Sequence, residues 1–278
     1  MQKTILVTGS TDGIGLEASK TLAELGHVVL LHGRNSAKLE DLERSLSAET
    51  GGGRIETYLA DFAVREDVEA MAKAVIEAHG SIDVLINNAG VYSTSHPITA
   101  DGLDARFAVN TVAPYLLTKR LLPLLGAGGR VVNLSSAAQS PVDPAAVTGR
   151  TRLSDGPAYA QSKLALTMWS RAMAQTLGEG GPAIIAVNPG SLLATNMVRD
   201  AFGVPGADVR IGADILVRAA LADEFESASG KYFDNDKGRF GSPHPDALDL
   251  EKCQEIVDIL EVLLDGLDPK QAAREAAS

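Results

Sequence analysis

Short apolar runs alternate with amphipathic stretches along most of the chain. The apolar runs, each predicted to be a buried strand, are residues 4–9, 28–33, 55–61, 82–90, 130–136 and 183–190. Helical patterns occupy about 13–25, 36–49, 65–79, 103–125 and 157–178. Strands that are apolar throughout indicate a sheet covered on both faces, and their alternation with helices favours parallel strands joined by right-handed crossovers. The pattern therefore predicts an α/β fold with a doubly wound parallel sheet.

Two segments interrupt this alternation. Residues 137–156 are rich in proline, glycine and polar side chains, which indicates a surface loop. Residues 191–212 have a mixed pattern and are predicted to form a mobile lid. Residues 230–233 are expected to add a strand at the edge of the sheet.

The length of 278 residues and the hydrophobic content of 45% are compatible with one large domain. We place this domain at residues 1–248. Residues 249–278 are predicted to form a C-terminal helix over about 249–264 and a tail. The last ten residues, PKQAAREAAS, are expected to be frayed or disordered.

The net charge of −11 and the sequence pI of about 4.9 argue against nucleic acid and anionic membranes as partners, because both are negatively charged. A small phosphate can still bind to backbone N–H groups, so a nucleotide cofactor is not excluded. The N-terminal sequence lacks a long apolar core and a cleavage site, and no apolar run approaches the length of a membrane span. We therefore expect a soluble cytoplasmic protein.

Cysteine and histidine give no sign of cross-links or metal. The single cysteine, Cys253, excludes an intramolecular disulfide, and its apolar neighbours predict a buried side chain. The five histidines and this cysteine show no metal-ligand spacing. No metal is therefore predicted.

A glycine-rich turn, TGSTDGIG at residues 8–15, lies between the first strand and the first helix. Its spacing is G-x-x-x-G-x-G. Glycines at Gly9, Gly13 and Gly15 let the backbone turn tightly and approach a pyrophosphate, which the helix N-terminus attracts. The alternative is a purely structural turn, but the position directly after the first strand favours a dinucleotide site.

The end of the second strand indicates which dinucleotide binds. NAD sites commonly place a carboxylate there, on the ribose 2′-hydroxyl, but residues 32–36 read HGRNS. Arg34 can instead pair with a 2′-phosphate, which predicts NADP, with NAD as the alternative cofactor. The alternative for Arg34 is a solvated loop residue.

The spacing Tyr-x-x-x-Lys occurs twice, at residues 115–119 and 159–163. Residues four apart lie on one face of a helix. At the second site, an ammonium on Lys163 and a positive nicotinamide ring would lower the pKa of the Tyr159 phenol. Tyr159 could then exchange a proton with a substrate oxygen held by Ser136, so this pair is the predicted catalytic pair.

The first pair lies inside a different helix, and no serine-terminated strand immediately precedes it. Tyr115 is predicted to be a packing residue, and Lys119 a solvated or snorkelling cation.

Seven motifs follow one another along the chain: TGSTDGIG (8–15), ADF (60–62), NNAG (87–90), Asn110, NLSS (133–136), YAQSK (159–163) and NPG (188–190). With these motifs in this order, the chain resembles the short-chain dehydrogenase/reductase family over residues 1–235. The resemblance implies a Rossmann-type fold that binds NAD(P), with residues 1–248 as the dinucleotide-binding and catalytic domain.

The same resemblance implies a catalytic tetrad of Asn110, Ser136, Tyr159 and Lys163. Lys163 would also bind the nicotinamide ribose, and Asn110 would hold a water in a proton relay. Ser136 is chosen over Ser135 because the second serine matches the family pattern better.

The residues expected to contact the dinucleotide are Gly9, Ser10, Thr11, Asp12, Gly13, Ile14, Gly15, Arg34, Asn35, Asp61, Phe62, Asn88, Ala89, Gly90, Tyr159, Lys163, Pro189, Gly190 and Thr195. By the resemblance, Asp61 and Phe62 border the adenine. Asn87 is implied near the ribose, and Asn188 near the nicotinamide.

Two spacings depart from the family pattern. Tyr159 lies 23 positions after Ser136, and the extra length is the 137–156 segment. A similar insertion occurs in the retinol-dehydrogenase-like branch, which suggests a hydrophobic alcohol or carbonyl substrate. The interval from Pro189 to Thr195 is one residue longer than usual, so Ser191 or Asn196 is the alternative to Thr195 as a cofactor contact.

The substrate pocket is expected beyond the carboxyl ends of the strands. Its predicted walls are residues 91–99, 137–156, 191–212 and 234–245. Tyr92 and His96 are candidate substrate contacts, with a solvated turn favoured for His96. Small side chains on the helix at 157–178 favour a homodimer or homotetramer, with a monomer as the alternative.

We therefore predict an NADP-dependent oxidoreductase that transfers hydride between the nicotinamide and a carbonyl or alcohol. The alternative is a non-catalytic regulator of the same fold that senses a dinucleotide. An epimerase or dehydratase of nucleotide sugars is disfavoured, because the chain after the sixth strand is short.

Overall fold

The computed structural model describes residues 1–49, 53–203 and 205–266 of the chain. Its strands are β1 (Thr4–Val7), β2 (Val28–Gly33), β3 (Ile55–Leu59), β4 (Val84–Asn87), β5 (Arg130–Leu134), β6 (Ala183–Asn188), β7 (Tyr232–Asp234) and β8 (Arg239–Gly241). Its helices are α1 (Gly13–Glu24), α2 (Ser36–Glu49), α3 (Arg65–Ala78), α4 (Ala105–Phe107), α5 (Ala113–Leu121), α6 (Pro144–Val147), α7 (Asp155–Leu177), α8 (Asn196–Phe202), α9 (Arg210–Leu221) and α10 (Leu250–Leu264).

The strands form a single sheet in the order β3-β2-β1-β4-β5-β6-β7-β8. Neighbours from β3 to β7 pair in parallel, and β8 pairs antiparallel with β7. The strand order reverses beside β1, which pairs with both β2 and β4. In sheets of this kind, ligands bind outside the carboxyl ends of the strands at the reversal.

Both faces of the sheet are covered, as the continuous apolar runs predict. Leu6 of β1 packs in a cluster with apolar side chains of α3, α5, α7 and α10. Its neighbours Ile5 and Val7 point to the other face and pack with α1, α2 and α9. All three are fully buried. The predicted doubly wound, Rossmann-type fold is confirmed.

The carboxyl-terminal part of the sheet differs from the prediction. The strand expected at 230–233 is present as β7, but the edge position belongs to β8, which the sequence did not predict. The sequence of β8, RFG, is too short to show a strand pattern.

The segments predicted to be irregular contain helices. The predicted lid at 191–212 includes α8 and the first turn of α9, and the predicted loop at 137–156 includes α6. Helix α9 was not predicted from the sequence, although its buried residues Ala213, Leu216 and Ala220 have helical spacing.

The long helix predicted at 103–125 is broken into shorter pieces. A π-helical turn, Ala108–Val112, joins α4 to α5, and Leu122–Leu124 form a 3₁₀ turn. Pro114 stands at the start of α5 and has no N–H to donate, which fits the wider turn just before it. This turn carries Asn110.

The C-terminal helix α10 packs against α7. Cys253 is fully buried there, as predicted, together with Ile256 and Leu260. The prediction of a frayed or disordered tail at 269–278 lies outside the described residues. Within the described part of the chain, no helix is both long and apolar enough to cross a membrane.

Candidate active site

The glycine turn after β1 is packed too closely for side chains at Gly9 and Gly15. Gly9 has φ +68° and Gly13 has φ +55°, a conformation that glycine adopts without strain. A side chain on Gly15 would overlap the carbonyl oxygen of Gly9 and the amide of Asn88. Asp12 caps α1 by accepting from the Gly13 N–H at 2.8 Å. The turn therefore presents bare backbone at the start of α1, where a pyrophosphate fits.

Three other residues predicted around this turn hold it in place. Ser10 is fully buried and its hydroxyl donates to the carbonyl oxygen of Val7 at 2.6 Å. The Thr11 methyl group packs so closely on Gly33 that a Cβ there would lie 2.8 Å away. Ile14 is partly buried and packs on the sheet face that carries α1.

The residues directly after β2 are exposed and lie at the carboxyl end of the strands, as the glycine turn after β1 does. Arg34 directly follows β2, so its guanidinium is accessible to a ligand. The side chain of Asn35 instead accepts from the Lys38 N–H at 3.0 Å, within the first turn of α2. Arg34 is therefore exposed at the end of β2, and its contact with a 2′-phosphate stays a prediction.

The two residues predicted to border the adenine differ in exposure. Asp61 is partly buried, and its carboxylate accepts from the Ala63 N–H at 2.9 Å. Phe62 is buried and its ring stacks on His32, with ring centres 4.1 Å apart. The Phe62 ring therefore faces His32 and the core.

Sequence reasoning missed His32, which joins these two regions. Its Nδ1 accepts from the Gly9 N–H at 3.1 Å, and its Nε2 lies 3.1 Å from the carbonyl oxygen of Ala60. Its neighbours belong to distant parts of the chain, so no local motif marks it.

The NNAG segment after β4 packs on the glycine turn. The Asn88 amide donates to the carbonyl oxygens of Thr8 at 2.8 Å and Gly9 at 3.1 Å. A Cβ on Gly9 would lie 2.9 Å from the Cα of Ala89. Asn87 points the other way: it is buried and its amide donates to Asn133 at 2.8 Å. Asn88 and Ala89 therefore contact the glycine turn and the Asn87 side chain points away from it, while their cofactor contacts stay predictions.

The four predicted catalytic residues converge at the carboxyl end of β5. The Ser136 hydroxyl is a hydrogen-bond partner of the Tyr159 phenol. The Lys163 ammonium nitrogen lies 5.8 Å from the centre of the Tyr159 ring and donates to the carbonyl oxygen of Leu134 at 2.6 Å. A Cβ on Gly90 would lie 3.4 Å from that nitrogen and 3.2 Å from Oδ1 of Asn110.

The neighbouring Ser135 is buried, and its hydroxyl is hydrogen-bonded to that of Thr167 at 2.7 Å.

The predicted lowering of the Tyr159 pKa by Lys163 and a nicotinamide ring together stays a prediction, and in the chain by itself the shift has the opposite direction. Burial raises the pKa of the Tyr159 phenol and outweighs the opposing hydrogen bond with Ser136. The lysine ammonium donates a hydrogen bond to the Leu134 carbonyl and not to the phenol oxygen. Burial also lowers the pKa of Lys163, to about 8. Acidification of the phenol therefore needs a further positive charge, such as a nicotinamide ring.

The Asn110 side chain has a structural role in this arrangement. Its Oδ1 accepts from the Val91 N–H at 2.8 Å, and its Nδ2 donates to the Val91 carbonyl at 2.9 Å and to the Ser162 hydroxyl at 3.0 Å. These contacts use both amide protons, so a relay water held by Asn110 has to bind elsewhere on the residue.

The segment after β6 is tied to the β7–β8 turn. Gly190 has φ +118°, and Leu192 has φ +49°, a strained value for a leucine. The Asp236 carboxylate accepts from the Ser191 N–H at 2.8 Å and from the Asn188 amide at 2.9 Å. Asn235 donates to the Pro189 carbonyl at 2.8 Å. The extra residue of this interval is thus absorbed in a constrained turn.

The three candidate contacts in this segment have different partners. Thr195 caps α8, because its hydroxyl accepts from the Val198 N–H at 3.2 Å. Its methyl group lies near Gly13, at 3.3 Å from a Cβ placed there. Asn196 donates to the Asp12 carboxylate. The Thr195 side chain reaches the glycine turn, and its cofactor contact stays a prediction.

The other Tyr-x-x-x-Lys pair anchors the C-terminal helix. Tyr115 is buried, packs edge-on against Trp169 with ring centres 5.5 Å apart, and donates to the carboxylate of Glu261. Lys119 forms an ion pair with the same carboxylate. Tyr115 is a packing residue, as predicted, but the interpretation of Lys119 as a solvated or snorkelling cation is corrected by this pairing.

The candidate substrate side is lined by aromatic rings. The rings of Tyr92 and Tyr159 lie 5.1 Å apart, centre to centre. His96 is exposed and hydrogen-bonds the Ser95 hydroxyl, as a solvated turn residue does. No cluster of three or more potential metal ligands occurs among the described residues.

Comparison with known proteins decides the family. The model of the short chain dehydrogenase family matches residues 3–203. The chain belongs to the short-chain dehydrogenase family. The resemblance carried by the seven motifs is thereby confirmed, and this short-chain dehydrogenase is an NAD(P)-dependent oxidoreductase, as predicted. Nothing in the comparisons supports the non-catalytic alternative.

Two relatives specify the branch of this short-chain dehydrogenase. The chain is 30% identical over 273 residues to retinol dehydrogenase 13 of Homo sapiens, covering 91% of this chain and 82% of that protein. It is 32% identical over 261 residues to retinol dehydrogenase 12 of Bos taurus, covering 87% and 80%. The predicted retinol-dehydrogenase-like branch is confirmed.

A solved structure shares the fold. It is a short chain dehydrogenase from Burkholderia cenocepacia in complex with NADP, with a TM-score of 0.68 and 27% identity. The alignment covers 85% of this chain and 97% of that one.

Proposed function

We propose that the protein uses NADPH and NADP⁺ to interconvert a hydrophobic carbonyl compound and the corresponding alcohol. The observation that carries this proposal is the convergence of Ser136, Tyr159 and Lys163 beside the glycine turn. It is supported by the NADP complex of the Burkholderia cenocepacia neighbour. The retinol dehydrogenases among the relatives support an apolar substrate.

The residues at the switch point fit a dinucleotide. Gly9 and Gly15 leave no room for a side chain because the Gly9 carbonyl, Asn88 and Ala89 fill that space, which keeps the turn tight at the N-terminus of α1, where a pyrophosphate can bind. Arg34 would pair with the 2′-phosphate, and Lys163 would hold the nicotinamide ribose. The bound cofactor supplies or accepts the hydride.

The protein side of the reaction is proton transfer and orientation. In reduction, Tyr159 donates its proton to the carbonyl oxygen of the substrate, and in oxidation it takes the proton from the alcohol. Ser136 hydrogen-bonds the same oxygen and holds it against the phenol. The raised pKa of Tyr159 in the chain alone keeps the phenol protonated, as the reductive direction needs.

The aromatic rings beside the phenol favour an apolar substrate. Tyr92 packs on Tyr159 at 5.1 Å between ring centres, so a substrate that reaches the phenol contacts the apolar surfaces of two aromatic rings. An aldehyde or ketone with an extended apolar chain fits this wall better than a sugar does.

The cytoplasmic location and the oligomeric state stay proposals. Of the four small residues of α7 that suggested a dimer, Ala158, Ser162 and Ala165 are buried within the chain, and Ala160 is half-buried. The three buried side chains offer no surface to a second copy, which favours the monomer alternative over a dimer formed through them.

The test is a screen of NADPH oxidation against carbonyls of graded apolar length, with NADH and Tyr159→Phe run in parallel. We expect turnover of apolar aldehydes or ketones by the wild type with NADPH preferred, and loss of turnover in the variant. Binding of NADPH without its oxidation by any carbonyl, and without reduction of NADP⁺ by any alcohol, would favour the regulator instead.

A further inference from the structure

His32 connects two parts of the dinucleotide site that are distant in sequence. It lies near the carboxyl end of β2, and its side chain is only 3% exposed. One ring nitrogen reaches the glycine turn and the other reaches the chain just after β3.

The hydrogen bonds of His32 fix its tautomer. Nδ1 faces the N–H of Gly9 at 3.1 Å, and a backbone N–H can only donate, so Nδ1 carries no proton. The ring proton is therefore on Nε2 and is donated to the carbonyl oxygen of Ala60 at 3.1 Å. Burial lowers the pKa of His32 to about 4, so the ring stays neutral near pH 7.

The backbone of His32 also holds the turn. Its carbonyl accepts from the Ser10 N–H at 2.8 Å, and its N–H donates to the Ser10 hydroxyl at 3.2 Å. Two consecutive residues of the turn are thus fixed by one residue of β2. The ring stacks on Phe62 at 4.1 Å between centres, which fixes its plane.

We propose that His32 is a positioning residue of the cofactor site, because its neutral ring sets the glycine turn in the left-handed conformation at Gly9 and fixes its distance from the Ala60–Phe62 segment. The inference rests on the proposed dinucleotide site. Without the acceptor at Nδ1, the partly buried Gly9 N–H loses its partner and the turn relaxes away from the geometry that a pyrophosphate needs.

Two amide variants separate the two ring contacts. In His32→Asn, the amide oxygen stands two bonds from Cβ, as Nδ1 does, so the acceptor for Gly9 can be kept. In His32→Gln, the amide stands three bonds from Cβ, as Nε2 does, so the contact with Ala60 can be kept while the acceptor for Gly9 is lost.

His27 provides a matched control just before the same strand. It precedes β2 at the opposite, amino-terminal end of that strand, and its Nδ1 also accepts a backbone N–H, from Lys3 at 3.1 Å. His27→Gln makes the same chemical change far from the cofactor. Any general weakening of the fold should therefore appear in this variant too.

The experiment measures the Kd of NADPH by fluorescence titration, kcat at saturating NADPH, and Tm for the wild type and the three variants. We expect His32→Gln to raise Kd about tenfold, which corresponds to the loss of one hydrogen bond at a partly buried N–H. We expect His32→Asn to stay within about threefold of wild type, since it keeps that acceptor. His27→Gln should leave Kd unchanged, and kcat at saturation should be unchanged in all three.

A wild-type Kd in His32→Gln would overturn the inference, and so would equal losses in His32→Gln and His32→Asn. Equal rises in the Kd of NADPH in His32→Gln and His27→Gln would show that His32 only stabilises the fold, and would also overturn the inference. Failure of the wild type to bind NADPH or NADH would instead overturn the proposed function, and this inference with it.

Discussion

Lys163 places its ammonium nitrogen 2.6 Å from the carbonyl oxygen of Leu134. This bond ties helix α7 to the end of β5. The lysine is buried, and a neutral carbonyl cannot replace the solvation that an ammonium loses, so the pKa of Lys163 falls to about 8. Its charge is therefore sensitive to pH in the range where the enzyme is handled.

This shift predicts a pH-dependent contribution to stability in the cofactor-free protein. Below about pH 8 both the folded and the unfolded chain hold Lys163 protonated, so the contribution is constant. Between about pH 8 and 10.5 the unfolded chain binds the proton and the folded chain does not, so stability rises with pH at this site. Urea unfolding of wild type and Lys163→Met at about pH 7.5 and about pH 9.5 isolates the effect. The free energy of unfolding of wild type should rise relative to the variant, and parallel pH curves would contradict the shift.

The two Tyr-x-x-x-Lys pairs should respond differently to removal of one hydroxyl. Tyr159→Phe should lower kcat by about 10²- to 10⁴-fold with the Kd of NADPH little changed, because it removes the proton donor. Tyr115→Phe should lower the free energy of unfolding by about 1 kcal/mol with kcat unchanged, because it removes only the bond to Glu261. Steady-state kinetics and urea titration of both variants provide the comparison, and equal losses of kcat would refute the assignment.

Much of the fold could be predicted from the sequence, because most of its strands and helices are determined by the pattern of residues within each element. Strands such as β1 are buried on both faces, so their sequences are apolar throughout. β8 has three residues with one apolar side chain, so it carries no such pattern. The periodicity of α9 was present, but its first turn adjoins a glycine-rich stretch that had been assigned to the lid.

The candidate site also has features that could be predicted from the sequence and features that could not. Tyr159 and Lys163 could be found because spacing on a helix fixes their common face. The direction of the Lys163 ammonium could not, since it depends on a carbonyl 29 positions earlier in the chain. His32 and Glu261 were missed for the same reason, because their partners are brought together only by the folded chain.

Exposure of Arg34 at the end of β2 predicts its role in cofactor choice. Arg34→Asp should lower kcat/KM for NADPH by about 10- to 100-fold, the range expected for a charge-assisted hydrogen bond, and should raise kcat/KM for NADH. Arg44→Asp, on the exposed side of α2, makes the same change in net charge and should leave the ratio unaltered. A wild-type preference for NADH would show that Arg34 does not select the cofactor.

Arg106 links the start of α7 to the loop before α4 and is almost fully buried. Its guanidinium pairs with Asp104 at 2.6 Å and with Asp155 at 2.5 Å. Arg106→Met should lower the free energy of unfolding by about 3–5 kcal/mol, because it leaves the buried Asp104 carboxylate without its charge partner.

The exposed pair of Arg120 with Glu69, also 2.6 Å apart, provides the control. Arg120→Met should lower the free energy of unfolding by less than about 1 kcal/mol. Urea titrations of both variants measure the difference. Similar losses from the two would mean that burial of the Arg106 cluster adds nothing.

Glu261 holds α10 on the rest of the fold through Tyr115 and Lys119. Burial alone would raise the pKa of Glu261, but the hydrogen bonds from these two side chains outweigh it and the pKa is lowered. The contribution that the ionised Glu261 makes to stability is therefore present in full above about pH 4.5. It is lost as the pH falls through the lowered pKa.

Glu261→Ala should consequently loosen α10 while leaving the active site intact. We expect faster hydrogen exchange across Leu250–Leu264 and a lower urea midpoint at pH 7, with kcat within about twofold of wild type. Glu255→Ala, an exposed position on the same helix, should change none of these. Because α10 covers buried apolar residues of α7, its release also exposes a surface that should make the variant self-associate at high concentration, which light scattering would detect. Unchanged exchange over α10 in Glu261→Ala would show that apolar packing around Cys253 and Leu260 is enough to hold the helix.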